Sequence, residues 1–206
     1  MKRTLAMAAA VMVAAALLAP SAGAALKLKV VLKDAETDAN FINDQGTSDG
    51  SFGDFEGASA SSFADLVEVG FANDKKNLYV HIQTLSTGVP AAGEGFRVRV
   101  NPAAGGVYCL NFEIFFNGAQ NDVTEWKAHL RDLCAGDAIV EGEVALSEFG
   151  GFMITIPRKA HPDLGKGKTL TATQAQTYLW SGSYPAGVAG PYLDTTKIGG
   201  DYKLKK

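Results

Sequence analysis

The chain reads as an all-β protein, an antiparallel two-sheet β-sandwich of jelly-roll or immunoglobulin-like form. Three observations predict this. Apolar and polar residues alternate with period two, Gly, Pro, Asn and Asp cut the chain into short runs, and no stretch sustains a helical period. Leu78, Val80 and Ile82 face one way while Tyr79, His81 and Gln83 face the other. Phe96, Val98 and Val100 alternate with Arg97 and Arg99; Leu110, Phe112, Ile114 and Phe116 alternate with Cys109, Asn111, Glu113 and Phe115. These are half-buried strands, with His81 on the solvent side. Further strands fall at Leu26 to Leu32, Leu66 to Phe71, Thr124 to Leu130, Ile139 to Leu146, Phe152 to Ile156, Thr169 to Thr177 and Tyr202 to Leu204. The total is about nine or ten, as a sandwich requires.

One stretch reads two ways. Between Asp122 and Cys134, Trp126, Leu130 and Leu133 fall at helical spacings, whereas Val123, Thr124 and Trp126 favour the pleated form. Its neighbours are hairpins, and the strand is preferred. Two irregular segments interrupt the strands: a polar one at Asp34 to Ala64, and a Gly/Pro loop at Ser181 to Asp194 that carries aromatics. Long loops on a rigid scaffold are where binding residues collect.

The first 24 residues read as a signal peptide. Lys2 and Arg3 precede an apolar run from Leu5, and Ala22-Gly23-Ala24 supplies a small-residue cleavage site. Residues 25–206 then form a single domain, and cleavage takes the formal charge from −3 to −5, because it removes two of the 19 basic residues and none of the 22 acidic ones. A mildly acidic chain with scattered basic residues is a poor match for a phosphate backbone, so nucleic acid is excluded as partner. No later apolar segment is long enough for a spanning helix, so membrane insertion after cleavage is not expected and the protein is read as secreted, extracellular or periplasmic. In that oxidising compartment Cys109 and Cys134 are expected to pair. Closing a loop of about 26 residues would contribute roughly 3 to 4 kcal/mol in the chain-entropy model.

No catalytic constellation emerges. Gly46-Thr47-Ser48-Asp49-Gly50 matches G-x-S-x-G, but lacks the strand before and helix after that expose a nucleophile. His81, His129 and His161 lie far apart without zinc-ligand spacing, and His129-Leu130-Arg131-Asp132 has no nucleophile to serve. Carboxylates concentrate early, at Asp34, Glu36, Asp38, Asp44, Asp49, Asp54, Glu56 and Asp65. Such a segment either coordinates calcium through hard oxygen ligands or is a solvated loop whose Asp residues make turns. Tyr178, Trp180, Tyr184 and Tyr192 either present ring faces to a sugar or partner, or pack the domain.

The Asp34-Ala35-Glu36-Thr37-Asp38-Ala39 turn, Ala64-Asp65-Leu66, Asn77-Leu78-Tyr79-Val80-His81-Ile82, Phe152-Met153-Ile154-Thr155-Ile156-Pro157 and Asp194-Thr195 occur in that order. Taken together they resemble the DOMON-like sandwich domains related to family 9 carbohydrate-binding modules. The resemblance spans most of residues 30–204, although the first turn lacks the Pro and Gly that commonly follow its Asp. It implies a noncatalytic module that binds sugar, haem or a structural cation, with Asp34, Asp38 and Asp65 at its acidic turns as metal positions. Haem would need Met and His axial ligands, and Met153 has no His near it in sequence. The expectation is therefore a secreted noncatalytic binding module for carbohydrate or a cell-surface ligand, using Trp180, Tyr184 and Tyr192, with calcium as the cofactor to test. The alternative is a structural or adhesion module with protein partners.

Overall fold

Period-two alternation becomes pleated strand wherever a ladder partner is found, and nearly every alternating run finds one. The computed structural model describes residues 26–33, 66–85, 94–101, 108–116, 126–181, 188–196 and 198–205. Their strands are β1 (Lys29–Lys33), β2 (Leu66–Asn73), β3 (Asn77–Thr84), β4 (Glu94–Asn101), β5 (Leu110–Phe116), β6 (Trp126–Asp132), β7 (Ala138–Leu146), β8 (Phe152–Pro157), β9 (Thr169–Ser181), β10 (Val188–Thr195) and β11 (Tyr202–Lys203). The ambiguous stretch around Trp126 is strand, ending in a 3-10 turn at Leu133–Ala135. The segment 1–24 expected to be a signal peptide, Asp34, Asp38, Asp65, the Gly46 to Gly50 run and Tyr184 lie outside the described residues. No helix among the described residues is long and apolar enough to cross a membrane.

Every pairing is antiparallel, along one path of order β1-β2-β3-β8-β7-β6-β5-β4-β9-β10, with β11 pairing β9. The all-β antiparallel expectation holds. The hydrogen bonding, however, runs continuously through the molecule, and the sheet is nearly closed into a barrel. The continuity depends on β7. Its first part, Ala138 to Gly142, pairs with β6, and its second, Glu143 to Leu146, pairs with β8. At the changeover, Gly142 leaves no room for a side chain: a Cβ there would meet the Ile156 side chain and lie 2.8 Å from Thr155 O.

The far end is drawn together without strand pairing. Gly199 N–H donates to Thr173 O of β9 and Gly200 N–H donates to Val31 O of β1, each at 2.7 Å. A Cβ on Gly199 would sit 2.8 Å from Val31 O, so the close approach requires glycine. Folding the sheet over in this way buries its apolar face against itself. Phe96 of β4 stacks on Phe152 of β8 at 5.4 Å, Trp126 of β6 meets Phe152 edge-on at 5.4 Å, and Phe71 of β2 meets Phe112 of β5 at 6.2 Å.

The aromatic loop expected at Ser181 to Asp194 is corrected. Tyr178 and Trp180 lie in β9, Tyr192 lies in β10, and Tyr192 pairs with Tyr178 while Ala189 pairs with Trp180. Gly190 and Pro191 misled because both usually break strands. Here they fall within the register shift between Ala189 and Tyr192, on a strand that among the described residues pairs only with β9, where a missing N–H costs no ladder bond. The side chains of Trp180 and Tyr192 lie outside the described residues.

Candidate functional site

The ladder sets four polar-x-polar motifs side by side on the sheet face turned away from the core. Arg97 of β4 pairs with Glu113 of β5 and Gln176 of β9, and Glu113 pairs in turn with His129 of β6. One step along the strands, Arg99 pairs with Asn111 and Gln174, and Asn111 pairs with Arg131. The motifs Arg97-Val-Arg99, Asn111-Phe-Glu113, His129-Leu-Arg131 and Gln174-Ala-Gln176 thus form two parallel rows of polar side chains.

The inner row is sealed. Glu113 is 2 % exposed, His129 0 %, Arg97 8 % and Gln176 4 %. A charged group buried to this degree needs partners, and the row supplies them. His129 Nε2 lies 2.7 Å from Glu113 Oε2; since a carboxylate only accepts, Nε2 carries the proton. Arg131 Nε is 3.3 Å from the same oxygen, and Arg97 Nη1 is 3.8 Å from Oε1. Arg97 donates from Nε and Nη2 to Gln176 Oε1, at 3.1 and 2.6 Å. Among the described residues, three guanidiniums therefore share this face with the carboxylate of Glu113.

The outer row is more open, with Arg99, Arg131 and Gln174 half-buried around Asn111, which is 1 % exposed. Arg99 stacks 4.0 Å over the Tyr108 ring and reaches Gln176 Oε1 at 3.4 Å. The buried Asn111 Oδ1 and Tyr108 hydroxyl have no hydrogen-bond partner. Native structures rarely leave such groups unsatisfied, because each costs about 1–3 kcal/mol.

The surrounding fold holds the rows rigid. Gly95 permits Tyr178 to lie across β4, its hydroxyl donating to Ile114 O at 3.3 Å, where any Cβ would be 2.7 Å from the ring. The Cys109–Cys134 disulfide forms as expected and ties the start of β5 to the turn after β6, with the two Cα atoms 5.1 Å apart. Leu133 N–H donates to Cys109 O at 2.8 Å, and Asp132 Oδ1 accepts from the Cys134 and Ala135 N–H groups at 2.9 and 3.1 Å. His161 completes this corner by donating from Nε2 to Asp132 Oδ2 at 2.8 Å while Nδ1 accepts the Asp163 N–H at 3.3 Å. His129 and Asp132, close in sequence, thus belong to different pairs.

His81 corrects the expectation of a solvated ring, being 0 % exposed. The turn after β7 folds over it: Nε2 donates to Gly150 O at 2.7 Å, and Phe149 packs edge-on at 6.0 Å. Burial pushes its pKa below the ordinary histidine value, and the Gly150 carbonyl and Glu68 restore part of the drop. The register also places His81 directly across from Met153, a neighbour the sequence separation concealed. Adjacent cross-strand residues project from the same side of a sheet, so this pair cannot clamp a porphyrin from opposite faces.

Of the residues expected to bind ligand, none of the side chains of Trp180, Tyr184 and Tyr192 is described, and neither are Asp34, Asp38 and Asp65. Among the described residues, no group of three or more His, Cys, Asp or Glu is arranged to hold a metal. Arg97, Arg99, Asn111, Glu113, His129, Arg131 and Gln176 were overlooked as a site because alternation assigns them to a solvated exterior. The signal available was the repetition of one polar-x-polar motif in four strands. Compared with family models, curated proteins and solved structures, the chain matches none.

Proposed function

We propose that the chain is a secreted, noncatalytic binding module of the DOMON-like kind, with a carbohydrate or cell-surface component as ligand. In this reading the folded-over sheet works as a two-layered sandwich, β1-β2-β3-β8 facing β6-β5-β4-β9-β10. The observation that carries the proposal is the double row of Arg, Asn, Glu, His and Gln on the outward face of β4, β5, β6 and β9. Sugars present dense hydroxyl donors and acceptors, and planar side chains fixed by one another are suited to matching them. Tyr108 lies beside the outer row under Arg99, and Trp180, Tyr184 and Tyr192 would extend the aromatic surface.

The histidines favour binding over catalysis. His129 commits Nε2 to Glu113, and His161 uses both ring nitrogens in holding the Asp132 corner. Export to an oxidising compartment is supported by the cystine. Calcium is proposed as a structural ion at Asp34, Asp38 and Asp65. A thermal melt rising with calcium and falling back with chelator would support it, and an unchanged midpoint would remove it.

A glycan array probed with the full chain tests the main reading. Retention on defined glycans, weakened in Arg99→Gln, is the expected result. A silent array would overturn it in favour of a structural or adhesion module with protein partners. That second reading has its own support, since Leu146 and Phe149 at the β7–β8 turn are 63 % and 42 % exposed.

A further inference from the structure

We propose that the ligand of this face is an acidic sugar, a uronic acid or a chain of them, with its carboxylate on Arg99 and Arg131 and a hydroxyl donated to Asn111. The inference rests on the binding-module reading and narrows its ligand class. Asn111 sits between the two arginines in register, Arg99 on β4 and Arg131 on β6. By strand spacing the two outer backbones are roughly 10 Å apart, a span that accepts one sugar residue. The arginines call for an anion with planar oxygens, which a carboxylate provides, and each guanidinium presents five donors, so it can serve several acceptors at once.

Charge alone does not define the ligand. Asn111 Oδ1 is buried, lacks a partner and accepts, so it calls for a donor, which an ionised carboxylate cannot offer and a sugar hydroxyl can. The unpartnered Tyr108 hydroxyl, beside Arg99, can donate to or accept from a second hydroxyl. A ligand carrying both a carboxylate and hydroxyls satisfies all of these groups together. The half-buried Arg99, Arg131 and Gln174 place this chemistry on the more open of the two rows, with the Glu113–His129 row sealed behind it.

Isothermal titration of the full chain with digalacturonate, cellobiose and inorganic phosphate tests the inference. Digalacturonate should bind at least ~10-fold more tightly than either of the others, and Arg99→Gln should weaken it by about the same factor. Asn111→Leu should abolish the preference while leaving the melting midpoint unchanged or raised, because it removes an unsatisfied buried acceptor. That combination would not arise from a purely structural asparagine. Equal binding of cellobiose, unaffected by Arg99→Gln, would overturn the acidic-sugar inference and leave the binding module standing. Phosphate binding as tightly as digalacturonate, with Asn111→Leu harmless, would reduce the face to a bare anion site and also overturn it. No binding of either saccharide together with a silent glycan array would overturn both readings.

Discussion

His81 on β3 and His129 on β6 both occupy outward positions of their strands, and both are 0 % exposed. Their surroundings differ. Around His129, β5 brings Glu113, β4 beyond it brings Arg97 and β6 itself supplies Arg131, so a charged network accompanies the ring into the interior. Over His81 a turn closes, offering one carbonyl and one phenyl ring, and Nδ1 is left without a partner. The first face is held by mutual charge compensation, the second by a cover that excludes water. Removing a charge should therefore damage the first, and opening the turn should damage the second.

The largest effect is expected at Glu113. Glu113→Gln takes a carboxylate from among three guanidiniums at a 2 % exposed position, and breaking a buried pair in this way costs about 3–5 kcal/mol. Urea unfolding would measure it. A loss below about 1 kcal/mol would mean that the network is solvated and the contrast between the faces is false.

A smaller loss should follow from Gly151→Ala. Gly151 has φ of 65°, and a Cβ there would run into the Ile82 carbonyl oxygen, so the turn over His81 must shift. Left-handed strain at a non-glycine residue costs about 1–3 kcal/mol. Amide exchange should rise across residues 147–151 and leave β5 and β6 unchanged. Faster exchange in β5 and β6 would show that the two faces are coupled.

The smallest effect is the pH dependence that His81 imposes. Its folded pKa lies below the unfolded value of about 6.5, so as pH falls the unfolded chain takes up its proton first. The stabilisation is complete above pH about 6.5 and is lost progressively below it, until the folded ring also titrates. His81→Gln, which keeps a donor for Gly150 O, should flatten the fall in melting midpoint between about pH 7 and pH 5. An unchanged slope would assign the pH dependence to other groups.

Much of the strand pattern was legible because alternation and punctuation are local properties. Leu78, Val80 and Ile82, for example, all enter the core as read. The faces opposite them were not legible. Arg97, Glu113 and His129 look like solvent-facing residues within their own strands, and only pairing across β4, β5 and β6 makes them compensating neighbours. His81 was misjudged because its cover comes from a turn nearly 70 residues later, at Gly150. β10 was missed because Gly190 and Pro191 are compatible with a strand only at a sheet margin, and strand order is not written locally.

By itself the amino-acid sequence determined that this protein is antiparallel β, where most of its strands run, which face of each is apolar and that its two cysteines are available to pair. Those features depend on residues a few positions apart, or on the chemistry of a residue type. Tertiary structure decided that β7 carries one ladder from β6 across to β8, that Gly199 and Gly200 draw β1 to β9, and that four polar motifs from distant strands form one face. The physical reason is that strand order and register are set by burying the whole sheet at once, and no single segment carries that information.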